Sequence, residues 1–255
     1  MIRVGVVGAL GRMGRTVCRA VVLDPDLELV AAVDRDAGDV VEGLTVANSL
    51  EALTDAGAQV AVDFTHPSSV MGTIREVLAR EIHVVVGTTG ISPQQLDEVA
   101  ALAGAGSANA FVAPNFALGA VLMMRFAEEA ARYLPAAEIV ELHHDGKADA
   151  PSGTALTTAR RIAAVRGHAP PAPAGDDAHP GARGADVEGV RVHAVRLPGL
   201  LAHQEVILGG AGETLTIRHD STDRASFMPG VLMAVKAVAD RPGLTVGLDA
   251  LLGGS

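Results

Sequence analysis

Over the first 113 residues, short apolar runs alternate with longer stretches whose apolar positions recur every three or four residues. The runs at 2–7 (IRVGVV), 28–34, 59–64, 83–86 and 109–113 read as buried strands. Between them lie helical patterns. One carries Val17, Ala20 and Val21, a second spans about 49–56, a third follows Thr65-His66-Pro67 to about Arg80, and a fourth starts at Ser92-Pro93. Strands alternating with helices in this way predict βαβ units and a parallel sheet. The pattern changes after Pro114-Asn115. A long helix over 117–133, a strand over 138–142 and a helix over 153–166 are expected. Residues 167–189 are rich in Pro, Gly, Ala and Asp without periodicity, which predicts a loop or lid. Strands at 190–195, 204–208 and 213–219 follow with no helix between them, so they should be antiparallel or mixed. A last helix covers about 225–239. The expectation is an α/β first half and an α+β second half, hence two domains.

Composition narrows the function. At 255 residues and 49% hydrophobic, the chain can bury one large core or two modest ones. A net charge of −10 and a pI near 5.3 argue against a broad basic surface for nucleic acid or acidic lipid. Aromatics at 2%, with no Trp, argue against base-stacking platforms. The single cysteine, Cys18, has no intrachain partner and sits in an apolar helical run, as expected of buried packing in a reducing compartment. The N-terminus runs straight into a strand pattern, so no signal peptide is expected. The apolar run over 111–124 is broken by Pro114, Asn115 and Gly119, so no membrane span is expected either. The expectation is a soluble, acidic, cytoplasmic protein without nucleic-acid or membrane partners.

The first βα turn is Gly8-x-x-Gly11-x-x-Gly14. Glycines let a backbone approach a pyrophosphate, and the helix that follows offers N–H groups and a positive dipole end. An acid, Asp34, closes the next predicted strand twenty residues past Gly14, which completes a Rossmann-like dinucleotide fingerprint. Asp34 can accept from a ribose 2′-hydroxyl, favouring NADH, whereas Arg35 can pair with a 2′-phosphate. Use of both NADH and NADPH is therefore expected. Gly87-Thr88-Thr89-Gly90 lies at the end of another parallel strand and suits a nicotinamide ring; His66 is read as a cofactor-side or helix-start residue.

The densest chemistry lies in 138–155, EIVELHHDGKADAPSGTA. Only Lys147 and Lys236 are lysines, against 18 arginines, and Lys147 stands beside His143 and His144. An amine gives up a proton at accessible pH and a guanidinium effectively does not, so proton-transfer chemistry is expected here. Asp145-Gly146 predicts a turn that ends the strand and lets both histidines serve one site. Ser152 is a candidate N-cap, and with Gly153 and Thr154 it builds a carboxylate-sized anion site at a helix start. Asp145 and Asp149 lack the spacing of a metal-ligand set, so no metal is expected.

These motifs together resemble the dihydrodipicolinate reductases of bacterial lysine and diaminopimelate synthesis. The resemblance covers essentially the whole chain and rests on GALGRMGR (8–15), DFTHP (63–67), GTTG (87–90), APNFALG (113–119), ELHHDGKADAPSGTA (141–155) and HDSTDRASFMPG (219–230). It implies that NADPH or NADH gives hydride to a cyclic imine dicarboxylate, forming tetrahydrodipicolinate with loss of water from the 4-hydroxy substrate. It implies that His143 is a proton donor or acceptor and Lys147 a proton donor, with His144, Ser152, Gly153 and Thr154 holding the substrate. Cofactor contacts are implied at Gly8, Ala9, Leu10, Gly11, Arg12, Met13, Asp34, Arg35, Gly87, Thr88, Thr89, Ala113, Pro114, Asn115 and Phe116. The implied fold is a Rossmann-like parallel-sheet dinucleotide-binding domain (1–114 and 224–255) plus an α+β substrate and oligomerisation domain (115–223) with a mixed sheet. A homotetramer is also implied. Two other readings compete: a regulatory Rossmann protein without turnover, and another nicotinamide enzyme. An aldehyde dehydrogenase would want a reactive cysteine in the second half, where none lies. Which of His143 and Lys147 delivers the proton stays open.

Overall fold

In the computed structural model, which describes residues 1–168 and 178–253, strand β1 (Ile2–Val7) runs through the glycine turn into helix α1 (Arg12–Leu23) and strand β2 (Leu27–Val33). A short hairpin, β3 (Val40–Val41) and β4 (Leu44–Thr45), and helix α2 (Glu51–Asp55) lead to β5 (Val60–Asp63). Helix α3 (Val70–Ala79), β6 (His83–Val86), α4 (Pro93–Ala105) and β7 (Ala110–Val112) follow. The chain then forms α5 (Leu118–Ala131), β8 (Ala136–His143), α6 (Gly153–Val165), β9 (Ala185–Val187), β10 (Val190–Arg196), β11 (Ala202–Gly210) and β12 (Glu213–Ser221). Helix α7 (Met228–Ala237) and strand β13 (Leu244–Val246) close it. Contacts divide the chain into two units, Met1–Phe116 with Phe227–Ser255, and Ala117–Ser226.

The first unit is built on a parallel sheet ordered β13-β7-β6-β5-β1-β2. Its central strands are mostly apolar, as expected of strands covered on both faces; all four residues of β5 are buried, the carboxylate of Asp63 among them. On one face Val7, Val84 and Val86 share a core with Leu53 of α2, Ile74 and Val77 of α3 and Val99 of α4. The alternating residues Val4, Val6, Val62 and Val85 are equally buried on the other face. Helices α1 and α7 pack against each other. Ser92 starts α4 with a full capping box, accepting from Gln95 N while Gln95 Oε1 accepts from Ser92 N. Such a cap contributes about 1 kcal/mol.

Four strand ends lie level along one edge of this sheet. Val7 of β1 is in register with Asp63 of β5, Asp63 with Val86 of β6, and Val86 with Val112 of β7. The chain leaves β1 toward β2 on one side and returns through β5 on the other. That reversal makes the β1–β5 boundary the topological switch point, where open α/β sheets hold ligands.

The second unit carries a mixed sheet ordered β12-β11-β8-β10-β9, with β8 parallel to β10 and antiparallel to β11. The expected α/β plus mixed-sheet architecture is the one found. Three details went unpredicted: the β3–β4 hairpin, the three-residue β9 inside the expected loop over 167–189, and β13 at the sheet edge. Two or three residues are too few to display an alternation. Residues 169–177, the middle of that expected loop or lid, lie outside the described residues.

Candidate active site

The glycine turn is built by close backbone approach. A Cβ on Gly14 would lie 1.9 Å from the Gly8 carbonyl oxygen, and one on Gly8, whose φ is +79°, would lie 2.7 Å from the Phe64 carbonyl oxygen. Helix α1 starts at Gly11 with no side-chain cap. Its first-turn N–H groups are thus left for an outside acceptor, in a cradle that any side chain would fill. Asp34 is fixed beside it, its carboxylate accepting from Leu10 N at 2.9 Å and from Arg35 N at 2.7 Å. Gly8, Leu10, Gly11, Asp34, Arg35 and Phe64 line one cleft of about 730 Å³, with His66 at its wall. These residues fit a dinucleotide.

The other residues expected to touch cofactor fall at the same sheet edge with different exposures. Ala9 is fully buried and donates its N–H to Val33, so it can offer little beyond backbone shape. Arg12 is exposed and Met13 half-buried. Gly87 leaves β6 where a Cβ would strike the Phe64 ring at 2.2 Å. The Thr88 hydroxyl is buried and donates to Asp63 at 2.7 Å, while Thr89 is exposed. Ala113 is buried and donates to Val86; Pro114 is exposed, Asn115 half-buried, and the buried Phe116 ring packs against Phe64 and Phe111. Asp63 is a hub that the pattern of the sequence did not single out. Burial pushes its carboxyl up from the ordinary range, opposed by hydrogen bonds from the Thr65 N–H and the Thr88 and Thr65 hydroxyls.

In the second unit β8 ends at His143, the chain turns at Asp145-Gly146, and Lys147 N donates to the His144 carbonyl at 3.1 Å. Glu141 and His143 share one face of the strand, and the imidazole Nδ1 lies 2.5 Å from Glu141 Oε2. Glu141 is fully buried. It accepts two bonds from the Arg196 guanidinium, at 2.8 and 2.9 Å, and a third from Ser152 N at 3.1 Å. Burial alone would raise the Glu141 carboxyl, but the bonds from Arg196 and His143 outweigh it and hold the group below the ordinary range. An ionised carboxylate only accepts, so His143 Nδ1 is the donor of this bond. Burial is also the main influence on His143. It lowers the imidazole, assisted by the charges of Lys147 and Arg196 and opposed by Glu141.

Lys147 pairs with both oxygens of Asp149, at 2.7 and 2.9 Å, and that pairing holds the Asp149 carboxyl low. Ser152 is the N-cap of α6, its hydroxyl accepting from Ala155 N at 3.2 Å. The N–H of this buried residue is thus taken by Glu141, while its hydroxyl accepts from Ala155 N and keeps its own proton to donate. Gly153 is exposed and Thr154 half-buried at the same helix start, and His144 is half-buried beside the turn. Arg196 is the member that sequence reasoning missed, while Glu141 and Asp149 lay inside the 138–155 stretch without an assigned role. For Glu141 a signal existed: a carboxylate two residues before His143 on a strand face.

Comparisons with known proteins agree along the whole chain. Residues 2–116 match the family model described as dihydrodipicolinate reductase, N-terminus, and residues 119–252 match dihydrodipicolinate reductase, C-terminus. The 4-hydroxy-tetrahydrodipicolinate reductase of Nocardia farcinica is 55% identical over 255 residues, covering 98% of each chain. That of Mycolicibacterium vanbaalenii is 53% identical over 252 residues with the same coverage. The dipicolinate-bound dihydrodipicolinate reductase of Paenisporosarcina sp. TG-14 superimposes with a TM-score of 0.88 at 41% identity, over 98% of this chain and 99% of that one.

Proposed function

The chain belongs to the dihydrodipicolinate reductase family, and from that premise we propose how its residues divide the work of a nicotinamide-dependent reduction. The reaction is the reduction of 4-hydroxy-tetrahydrodipicolinate to tetrahydrodipicolinate with loss of water, a step toward lysine and diaminopimelate. NADH or NADPH, when bound, supplies the hydride.

In this reading the first unit is the dinucleotide-binding domain. The glycine turn from Gly8 to Gly14 and the uncapped start of α1 receive the pyrophosphate. Asp34 accepts from the ribose hydroxyls and Arg35 meets a 2′-phosphate, so both cofactors are used. Gly87 to Thr89 and Ala113 to Phe116 shape the edge on which the nicotinamide rests.

The second unit binds the substrate. His143 and Lys147 handle the proton that the ring takes up as it is reduced. His144, Gly153 and Thr154 hold its carboxylates at the start of α6, where N–H groups and the helix dipole favour an anion. Ser152 caps the helix and, with its hydroxyl proton, joins them in holding the substrate. The observation that carries the reading is that an imidazole, an amine and a capped helix start lie within residues 143–155, at the end of one strand. We further propose a homotetramer in the cytoplasm. Among the described residues no helix is long and apolar enough to cross a membrane.

The test is oxidation of NADH and of NADPH in the presence of freshly condensed pyruvate and aspartate semialdehyde. Consumption of both cofactors, dependent on the condensation product, is expected. No consumption of either would overturn the reading.

A further inference from the structure

Glu141 and Arg196 are 55 residues apart in sequence, yet the parallel register of β8 and β10 sets Arg196 directly beside His143. The guanidinium spans both oxygens of Glu141 and also donates to the Asp149 backbone carbonyl at 2.6 Å. One charge pair thus touches three parts of the site: the His143 ring, the segment carrying Lys147, and, through Ser152 N, the start of α6. A buried ion pair is a poor way to gain stability, because desolvation cancels most of the attraction. This one also leaves Arg196 Nε buried without a partner, a further cost. Glu141 is fully buried and Arg196, closing β10, only partly exposed, so an apolar pair would cost less and this one is explained by what it orients.

We infer that Glu141 and Arg196 are positioning residues for the proton-transfer pair: Glu141 fixes the His143 ring with Nδ1 as donor and Nε2 as the working nitrogen, and Arg196 ties the Lys147 segment to the same carboxylate. Nε2 of His143 has no partner among the described residues, so it is the nitrogen this arrangement presents. The inference rests on the roles proposed above for His143 and Lys147. The charged groups acting on the His143 ring are Glu141, Lys147 and Arg196, and Asp149 acts on the last two.

The experiment compares parent, Glu141→Gln and Arg196→Lys by pH profiles of kcat and kcat/KM, and by NMR titration of the His143 ring, assigned by its absence in His143→Gln. Removing the carboxylate withdraws the one influence that raises the His143 imidazole. Glu141→Gln is therefore expected to move the His143 inflection to lower pH and to cut kcat about 100-fold, the scale of a misplaced catalytic group. Arg196→Lys keeps the charge but cannot span two oxygens and a carbonyl. It is expected to lower kcat about tenfold or more with NADH affinity unchanged, and it supplies the answer if Glu141→Gln does not fold. An unmoved inflection with parental kcat in either folded variant would overturn the inference. If His143→Gln itself kept full turnover, the roles on which the inference rests would fail instead, so the two failures are distinguishable.

Discussion

The Nδ1 atom of His143 lies 2.5 Å from Oε2 of Glu141, two residues earlier on the same face of β8. A strand repeats its direction every second residue, so this pair is a product of the strand itself and needs no loop to assemble it. Lys147, four residues on, stands past the turn with its ammonium on Asp149. The imidazole and the amine are therefore held by separate partners.

That separation predicts separable losses. His143→Gln and Lys147→Ala are each expected to lower kcat by about 10²- to 10⁴-fold, the usual range for a positioned acid or base. Both residues lie outside the glycine-turn cleft, so NADH affinity should stay near the parent value. Steady-state kinetics with calorimetric NADH titration decides it; equal loss of NADH binding in both variants would count against the assignment.

Cofactor choice should turn on two adjacent residues. Arg35→Ala is expected to raise KM for NADPH by about tenfold and leave NADH little changed, through loss of a charge-assisted bond to the 2′-phosphate. Asp34→Ala should weaken NADH by a similar factor. It also removes an acceptor from Leu10 N, so some loss with NADPH is expected as well. Parallel KM measurements with both cofactors check the pair.

Gly14→Ala tests the backbone cradle. The new methyl would lie 1.9 Å from the Gly8 carbonyl oxygen and 2.8 Å from Ala9 Cα, neither of which is a flexible side-chain end. Relief requires the turn to move, at a cost on the order of 3 kcal/mol. Denaturant melts should show that loss, with NADH binding reduced further than the melt alone explains. A parental melt would mean that the turn can yield to a methyl group at no cost.

Three histidines, His83, His143 and His219, are each held below the ordinary value of 6.5, with burial the main cause. A depressed folded-state value means the unfolded chain takes up protons first as pH falls. Their contribution is complete above about pH 6.5 and is lost as pH falls through that value toward the folded-state ones. Glu141, also depressed, adds a loss of the same sign in a more acid range. Asp63 is raised and works in the opposite direction there. The thermal midpoint should drop between about pH 7.5 and about pH 5.5. His143→Gln should show a shallower drop by calorimetry.

Legibility in the sequence followed the range of the interactions. The βαβ half could be read because each strand is an apolar run and each helix a local period, as with Ser92-Pro93 opening α4 where a capping box forms. The rare lysine beside two histidines marked 138–155 as a proton-transfer site, and Ser152 as a helix cap was legible from local chemistry. The resemblance supplied the division of roles between His143 and His144. Arg196 was not legible. Its meeting with Glu141 depends on β8 and β10 pairing in parallel with His143 beside Arg196, a register that no local pattern encodes. Asp63 was similarly hidden, since its partner Thr88 reaches it only because Asp63 and Val86 are level across β5 and β6.

Strand β13 pairs with β7, and Asn109 fastens the join by donating to the Val238 and Ala239 carbonyls and accepting from Gly243 N. A ribosome emits β7 long before β13. At cellular elongation rates the interval is on the order of ten seconds. During that time the Ala117–Ser226 unit emerges whole, while β7 waits as an open sheet edge, the kind of surface that recruits other chains. The nascent protein is thus most exposed to aggregation late in its synthesis, and slowing translation across α7 should be more harmful than slowing it anywhere in the first hundred residues.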